Sequence, residues 1–246
     1  LLQQLRLDVV VIGAAHHDWP ALIAAKDREL DRLNQAYLRM LREAGVALHY
    51  GRAELRDAHT VLVHGPDGAT QLTAANILIA TGSYPIRPPI PGNEHAVSSN
   101  EILNLPALPR RVVIIGTGYI GVEFACMFHS LGVEVTLMGS RQTLLRGFDE
   151  EVRAHLTQTL ADKGMRLVLG CAPTAISKQR DASYVVHSDS GEFAADLVLA
   201  ATGRVPSTSS LGLAEVGVRL TPTGAVVVDE QSRTSVPGIY AVGDCT

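Results

Sequence analysis

The chain has 246 residues, enough for one large domain or two small ones, each able to bury a core. With 46% hydrophobic residues, no apolar run of membrane-spanning length and a formal charge of −4, neither a membrane nor a nucleic acid is expected as partner. Cys126, Cys171 and Cys245 are odd in number and far apart, with no CxxC or zinc-ligand spacing, so the reading is reduced thiols of a cytoplasmic protein without a metal.

The opening LLQQLRLDVVVIGAAHHDW has a short apolar core and no small-residue cleavage pattern, so a signal peptide is not expected. There is no initiating Met, and the chain is read as starting inside a longer protein. VVVIG looks like a strand entering a glycine turn, but only Gly13 is present and Trp19-Pro20 stands where a phosphate-binding helix should already run. It is read as a strand or loop without a nucleotide. Residues 20–44 then carry Leu22, Ile23, Leu30, Leu33, Tyr37, Leu38 and Leu41 at helical spacing, with Pro20 in the first turn and Gly45 past the end.

A pattern follows that occurs twice. HTVLVHGPDGATQLTAANILIATGSYP has two strand-like runs around Gly-Pro-Asp-Gly, then the apolar run 76–80 ending in Thr81-Gly82. ASYVVHSDSGEFAADLVLAATGRVP repeats the plan around Asp189-Ser190-Gly191 and ends in Thr202-Gly203. Two such hairpins closing on the same ATG suggest duplicated nucleotide-binding units, each with a β-meander. Between them PIRPPIPG and NLPALPR read as linkers, because proline neither donates to a ladder nor continues a helix. A domain boundary is placed near Pro109 and a second crossing near Arg204-Val205-Pro206.

After Pro109 comes the strongest local signal, VVIIGTGYIGVEFACMFHSLGVEVTLMGSR. Val112 to Ile115 is a continuous apolar run, as in a parallel strand covered on both faces. In the turn that follows, Gly116 permits the tight bend and Gly118 lets backbone approach a pyrophosphate. Gly121 lets the helix pack close to the strand, and the helix N-terminus offers free N–H groups to the anion. Helix, Gly132 and a second strand follow in order, which makes dinucleotide binding the expected role. An NAD site usually has Asp or Glu at the second strand's end; here stand Met138 and Gly139. Ser140, Arg141 and Arg146 lie where a 2′-phosphate could sit, so NADP(H) is favoured. The expected fold is α/β, a Rossmann-like unit of parallel sheet plus β-meander inserted into a partial unit of the same type. The divisions are 1–108, 109–204 and 205–246.

On ILIATGSYP, SNEILNLPALP, IIGTGYIGVEF, LLRGFDEEV, LAATGRVP and above all SRTSVPGIYAVGDCT, the chain resembles the flavin-dependent pyridine nucleotide–disulfide oxidoreductases. The resemblance implies that 1–108 and 205–246 are parts of an FAD-binding domain, the second carrying the family's second FAD motif, and that 109–204 binds NAD(P)H. It implies that Gly116, Gly118, Tyr119, Ile120, Gly121, Glu123, Ser140, Arg141, Arg146 and Gly203 serve NADP(H), with Tyr119 as a ring covering the flavin and Glu123 near the carboxamide. Thr81, Gly82, Arg204 and Asp244 would serve FAD. The implied reaction is hydride transfer from NADPH to FAD and onward to a small disulfide, most simply glutathione disulfide, by a homodimer. Gly121 departs from this, since glycine there is common in the NAD-linked dihydrolipoyl dehydrogenase branch, which remains the alternative. The family's first FAD glycine motif, its CxxxxC pair and the histidine of its last domain do not occur in these residues. No catalytic residue is therefore assigned, and the chain is read as an internal piece, alternatively a nucleotide-binding fragment without turnover.

Overall fold

A computed structural model describes residues 17–246; the VVVIG strand-or-loop reading lies outside them. The first element is a helix, α1 (Trp19–Glu43), capped by the Asp18 carboxylate accepting from the Ala21 N–H, with Pro20 in its first turn and Gly45 in the left-handed region after it. Trp19 anchors it. Its ring is 3% exposed, stacks on Phe128 and donates from Nε1 to the Leu105 carbonyl at 2.8 Å.

Next come β1 (Arg52–Leu55), β2 (Thr60–Gly65) and β3 (Gly68–Thr73), an antiparallel meander in the order β1-β2-β3. The Pro66-Asp67 turn joins β2 to β3 with Gly65 opposite Gly68. β4 (Ile77–Ile79) and β5 (Ser83–Pro85) follow, then a short 3₁₀ turn at 93–95 and the four-residue α2 (Ser99–Ile102), whose Ser98 and Glu101 form a reciprocal capping box.

The glycine-turn region runs β6 (Arg111–Ile115), α3 (Tyr119–Ser130), β7 (Glu134–Gly139), α4 (Glu150–Asp162) and β8 (Arg166–Leu169). A second meander, β9 (Pro173–Lys178), β10 (Tyr184–Ser188) and β11 (Gly191–Ala195), precedes β12 (Leu197–Ala200). The chain returns through β13 (Arg204–Pro206) and ends near β14 (Ile239–Ala241).

β6, β7, β8 and β12 form one parallel sheet in the order β12-β6-β7-β8, so β6 is interior, as its unbroken apolar run requires. Alternation divides its side chains. Val112 and Ile114 join a core with Ala125 and Phe128 of α3, while Val113 and Ile115 face Ile176, Val186 and Phe193 of the second meander. Helix, sheet and meander thus make three layers. Residues 184–188 are a strand within that meander, as the repeat predicts.

Upstream residues complete this body. Val97 forms a parallel bridge to Leu199, and Ala96 and Ile102 are buried in its two cores. The segment between the proline-rich linkers is therefore packed chain, although it precedes Pro109.

The other core joins chain from either side of the glycine-turn region, whereas Trp19 and Ile23 of α1 pack into the glycine-turn body. Leu55, Ile77 and Ile79 pack with Leu213, Val226, Ile239 and Cys245, and β14 pairs in parallel with β4. A core drawn from both sides of the glycine-turn region is the signature of an insertion. Entry and exit strands β5 and β13 pair antiparallel, extended by the Ile86 N–H donating to Gly203 and Thr202 Oγ1 donating to Ile86.

Candidate dinucleotide-binding site

The glycine turn is built as its spacing requires. Gly116 has φ +127°, and a Cβ there would lie 2.1 Å from the Ala201 carbonyl oxygen, where β12 ends. A Cβ on Gly121 would lie 2.0 Å from the Gly116 carbonyl oxygen, so glycine permits α3 to start against β6. Gly118 is different in kind: nothing lies within 4 Å of its missing Cβ, and it faces a cleft. It is also the N-cap of α3, without a side-chain cap, so the helix end is open to an anion.

That cleft, about 850 Å³, runs across the sheet's carboxyl edge and reaches the end of the chain. Gly116, Gly118, Tyr119, Ile120, Ser140, Arg141, Arg146 and Gly203 line it, as do Arg204 and Asp244 from the proposed FAD set. Gly121 lies behind the turn, where its role is packing. Glu123 is exposed one helical turn beyond Tyr119, itself 55% exposed, and does not line the cleft. Thr81 and Gly82 close β4 outside the lining.

The end of the second strand leaves little room for an acid. Met138 is fully buried against the meander, and a Cβ on Gly139 would lie 2.8 Å from Thr117 Cγ2. No carboxylate fits at Gly139 unless Thr117 moves. Beyond it, the loop is tied to the glycine turn by the Leu145 N–H donating to the Thr117 carbonyl at 2.9 Å. Leu144 and Leu145 are buried, while Arg146 is exposed at the cleft between left-handed Leu145 (φ 51°) and Gly147 (φ 91°). Neither Arg141 nor Arg146 forms an ion pair among the described residues.

At the other end Ser83 ties three segments together. Its hydroxyl donates to Asp244 Oδ2 at 2.8 Å and accepts from Arg204 Nε at 2.7 Å, and Arg204 also donates to the Ser83 carbonyl at 2.6 Å. Asp244 remains 66% exposed, with its other oxygen available to a hydroxyl-rich ligand. Among the described residues Asp244 is the one Asp or Glu on a cleft also lined by Arg141, Arg146 and Arg204, so the cleft favours an anion. Ser83, Thr117, Phe148 and Thr202 also line it, and sequence reasoning assigned none of them. Ser83 follows ATG directly, a signal that could have marked it.

Cys126, Cys171 and Cys245 are all free thiols. Burial raises the Cys126 pKa, while the Ser188 and Ser190 hydroxyls lower that of Cys171, which is only 5% exposed. None of the three lines the cleft.

A parallel sheet with an open glycine turn, a cationic cleft at its carboxyl edge and a second body sharing that cleft define a dinucleotide-binding protein of two linked units. The chain belongs to the pyridine nucleotide-disulphide oxidoreductase family, whose model matches residues 2–246. It is 44% identical to a glutathione reductase of Burkholderia cepacia over 95% of this chain and 51% of that one. Against a trypanothione reductase of Leishmania donovani the identity is 42%, over 93% and 48% of the two chains. The solved HOCl-induced flavoprotein disulfide reductase RclA of Escherichia coli superposes with a TM-score of 0.86 at 32% identity, over 94% of this chain and 53% of that one. The chain spans about half the length of the relatives it matches.

Proposed function

We propose that the complete protein is an FAD-dependent disulfide reductase that takes hydride from NADPH and acts on a small disulfide, most simply glutathione disulfide. One observation carries the cofactor choice. The cleft presents Arg141 and Arg146 beside an uncapped helix N-terminus, and Asp244, its one Asp or Glu among the described residues, is hydrogen-bonded to Ser83. Gly118 supports the pyrophosphate position, since the space its Cβ would fill is open. Ser140, Arg141 and Arg146 would hold the 2′-phosphate, and Tyr119, Ile120 and Gly203 would border the nicotinamide arm. Glu123, on the Tyr119 face of α3, and Gly121 complete the proposed NADP(H) set. Asp244, oriented by Ser83, would accept from the flavin's polyol, with Arg204, Thr81 and Gly82 nearby.

When bound, the two cofactors supply hydride and electron transfer. The residues of this chain bind, orient and cover them. A further proposal is that 1–108 and 205–246 form the FAD-binding part, 109–204 the NAD(P)H-binding part, and that the complete protein is a cytoplasmic homodimer. The core that Leu55, Ile77 and Ile79 share with Leu213, Val226 and Ile239 supports that division.

Titration of the chain with NADPH and NADH by calorimetry tests the cofactor reading. NADPH should bind about tenfold to a hundredfold more tightly, as expected for charged hydrogen bonds at a partly exposed phosphate. Equal affinities would overturn it, and tighter NADH binding would favour an NAD-linked enzyme.

A further inference from the structure

Phe148 stands out on the cleft wall. It is 54% exposed, yet it sits on a loop fixed from both sides. Leu144 and Leu145, which precede it, are buried, the Leu145 N–H bonds the Thr117 carbonyl, and the Phe148 N–H closes a turn onto the Leu145 carbonyl at 3.1 Å. Arg153 holds the same loop through Nε to the Leu144 carbonyl at 2.9 Å. A large ring held this firmly at a cleft leaves apolar area in water that a ligand can cover.

Direction decides which part of the ligand. The strand order β12-β6-β7-β8 sets the residues after β7, Ser140, Arg141 and Arg146, on one side of the glycine turn, and those after β12, Gly203 and Arg204, on the other. Phe148 lies two residues beyond Arg146, in the loop that leaves β7, and lines the cleft. Ala172 and Pro173 line the cleft too, and the preceding residues run beside β7's end, with Gly170 and Cys171 N–H groups donating to Arg141 and Gly139. The segments after β7 and β8 therefore bring an aromatic ring and small apolar side chains to the side of the cleft that carries Arg141 and Arg146. A 2′-phosphate on those guanidiniums shares its ribose with the adenine, which must lie within a few ångströms of it.

The geometry points to Phe148 as the stacking platform for the adenine ring, an inference that rests on the nucleotide reading above. Arg141 and Arg146 read the phosphate that separates the two nicotinamide dinucleotides. Phe148 grips the base they share, and so sets affinity without setting preference.

The test is calorimetric titration of the chain and of Phe148→Ala and Phe148→Trp with NADPH, NADH and nicotinamide mononucleotide. Phe148→Ala should weaken NADPH and NADH by the same factor, about 5- to 100-fold from base–aromatic stacking. Nicotinamide mononucleotide affinity and melting temperature should stay unchanged, and Phe148→Trp should keep dinucleotide binding. If the parent binds NADPH and Phe148→Ala binds it equally well, this inference is overturned while the nucleotide site stands. A parent that binds neither dinucleotide overturns both. A fall in nicotinamide mononucleotide affinity matching that for NADPH would also overturn it, since the ring would then serve the cleft as a whole.

Discussion

Arg146, Gly116 and Gly118 show how differently single residues of one site depend on their surroundings. Arg146 is held out by a left-handed turn and contributes nothing to either core. Arg146→Ala should therefore erase most of the NADP(H) preference, about tenfold or more, while leaving NADH affinity nearly unchanged; parallel titrations check it. Gly116 combines φ +127° with a carbonyl oxygen 2.1 Å from any added Cβ. Gly116→Ala adds backbone strain to overpacking, together about 2–6 kcal/mol, so the melting temperature should drop on the order of 10 °C. Gly118 carries neither constraint. Gly118→Ala should change stability by less than about 1 kcal/mol, yet weaken NADPH about tenfold or more by filling the anion's approach. A Gly118→Ala variant with full affinity would remove this turn from the site.

At the scale of elements, the parallel sheet is pinned at its far edge by one ion pair. Asp196, just before β12, accepts from the Arg111 N–H at 3.0 Å and from its guanidinium at 2.7 Å, at the start of β6. That guanidinium holds the Asp196 carboxyl below its ordinary pKa. A depressed carboxylate stabilises the fold fully above its unfolded pKa, about 4, and the contribution is lost as pH falls through the lower folded value. Arg111 is 37% exposed, so solvent screening discounts the pair to about 1 kcal/mol. Asp196→Asn should lower the melting temperature by about 2–4 °C at neutral pH, and the difference should close below about pH 4. A gap that persisted there would point to packing instead of charge.

Most elements are legible in the sequence, because their cause is local. The period of 25-residue α1, the turns at Asp67 and Ser190, and the apolar run of β6 each state their own geometry. The packed stretch around Val97 is not legible. Its prolines describe a loop truthfully, but its burial depends on β12, a hundred residues later.

For the molecule as a whole, three thiols without a close pair in sequence and none on the cleft leave no redox dithiol among the described residues. The purified chain, given FAD, NADPH and glutathione disulfide, should show no cysteine-dependent oxidation of NADPH, followed by absorbance. Turnover abolished by replacing Cys126, Cys171 or Cys245 would contradict this. FAD should bind weakly, because the second body presents Asp244 and Arg204 to it without a second glycine turn among the described residues.

What the sequence determined by itself is the chemistry of contiguous residues: the glycine turn, the twin hairpins, the absent acid at the end of β7 and the two arginines beyond it. Backbone freedom and side-chain period are local properties, so short windows report them. Tertiary structure alone decided that Ser83, Arg204 and Asp244 form one hydrogen-bonded group, though 161 residues separate Ser83 from Asp244. It alone decided that Thr117 closes the space at Gly139 and that exposed Phe148 belongs to the cleft. Each depends on which distant segments the insertion brings together, and that choice is made by burial of whole faces, which no short window contains.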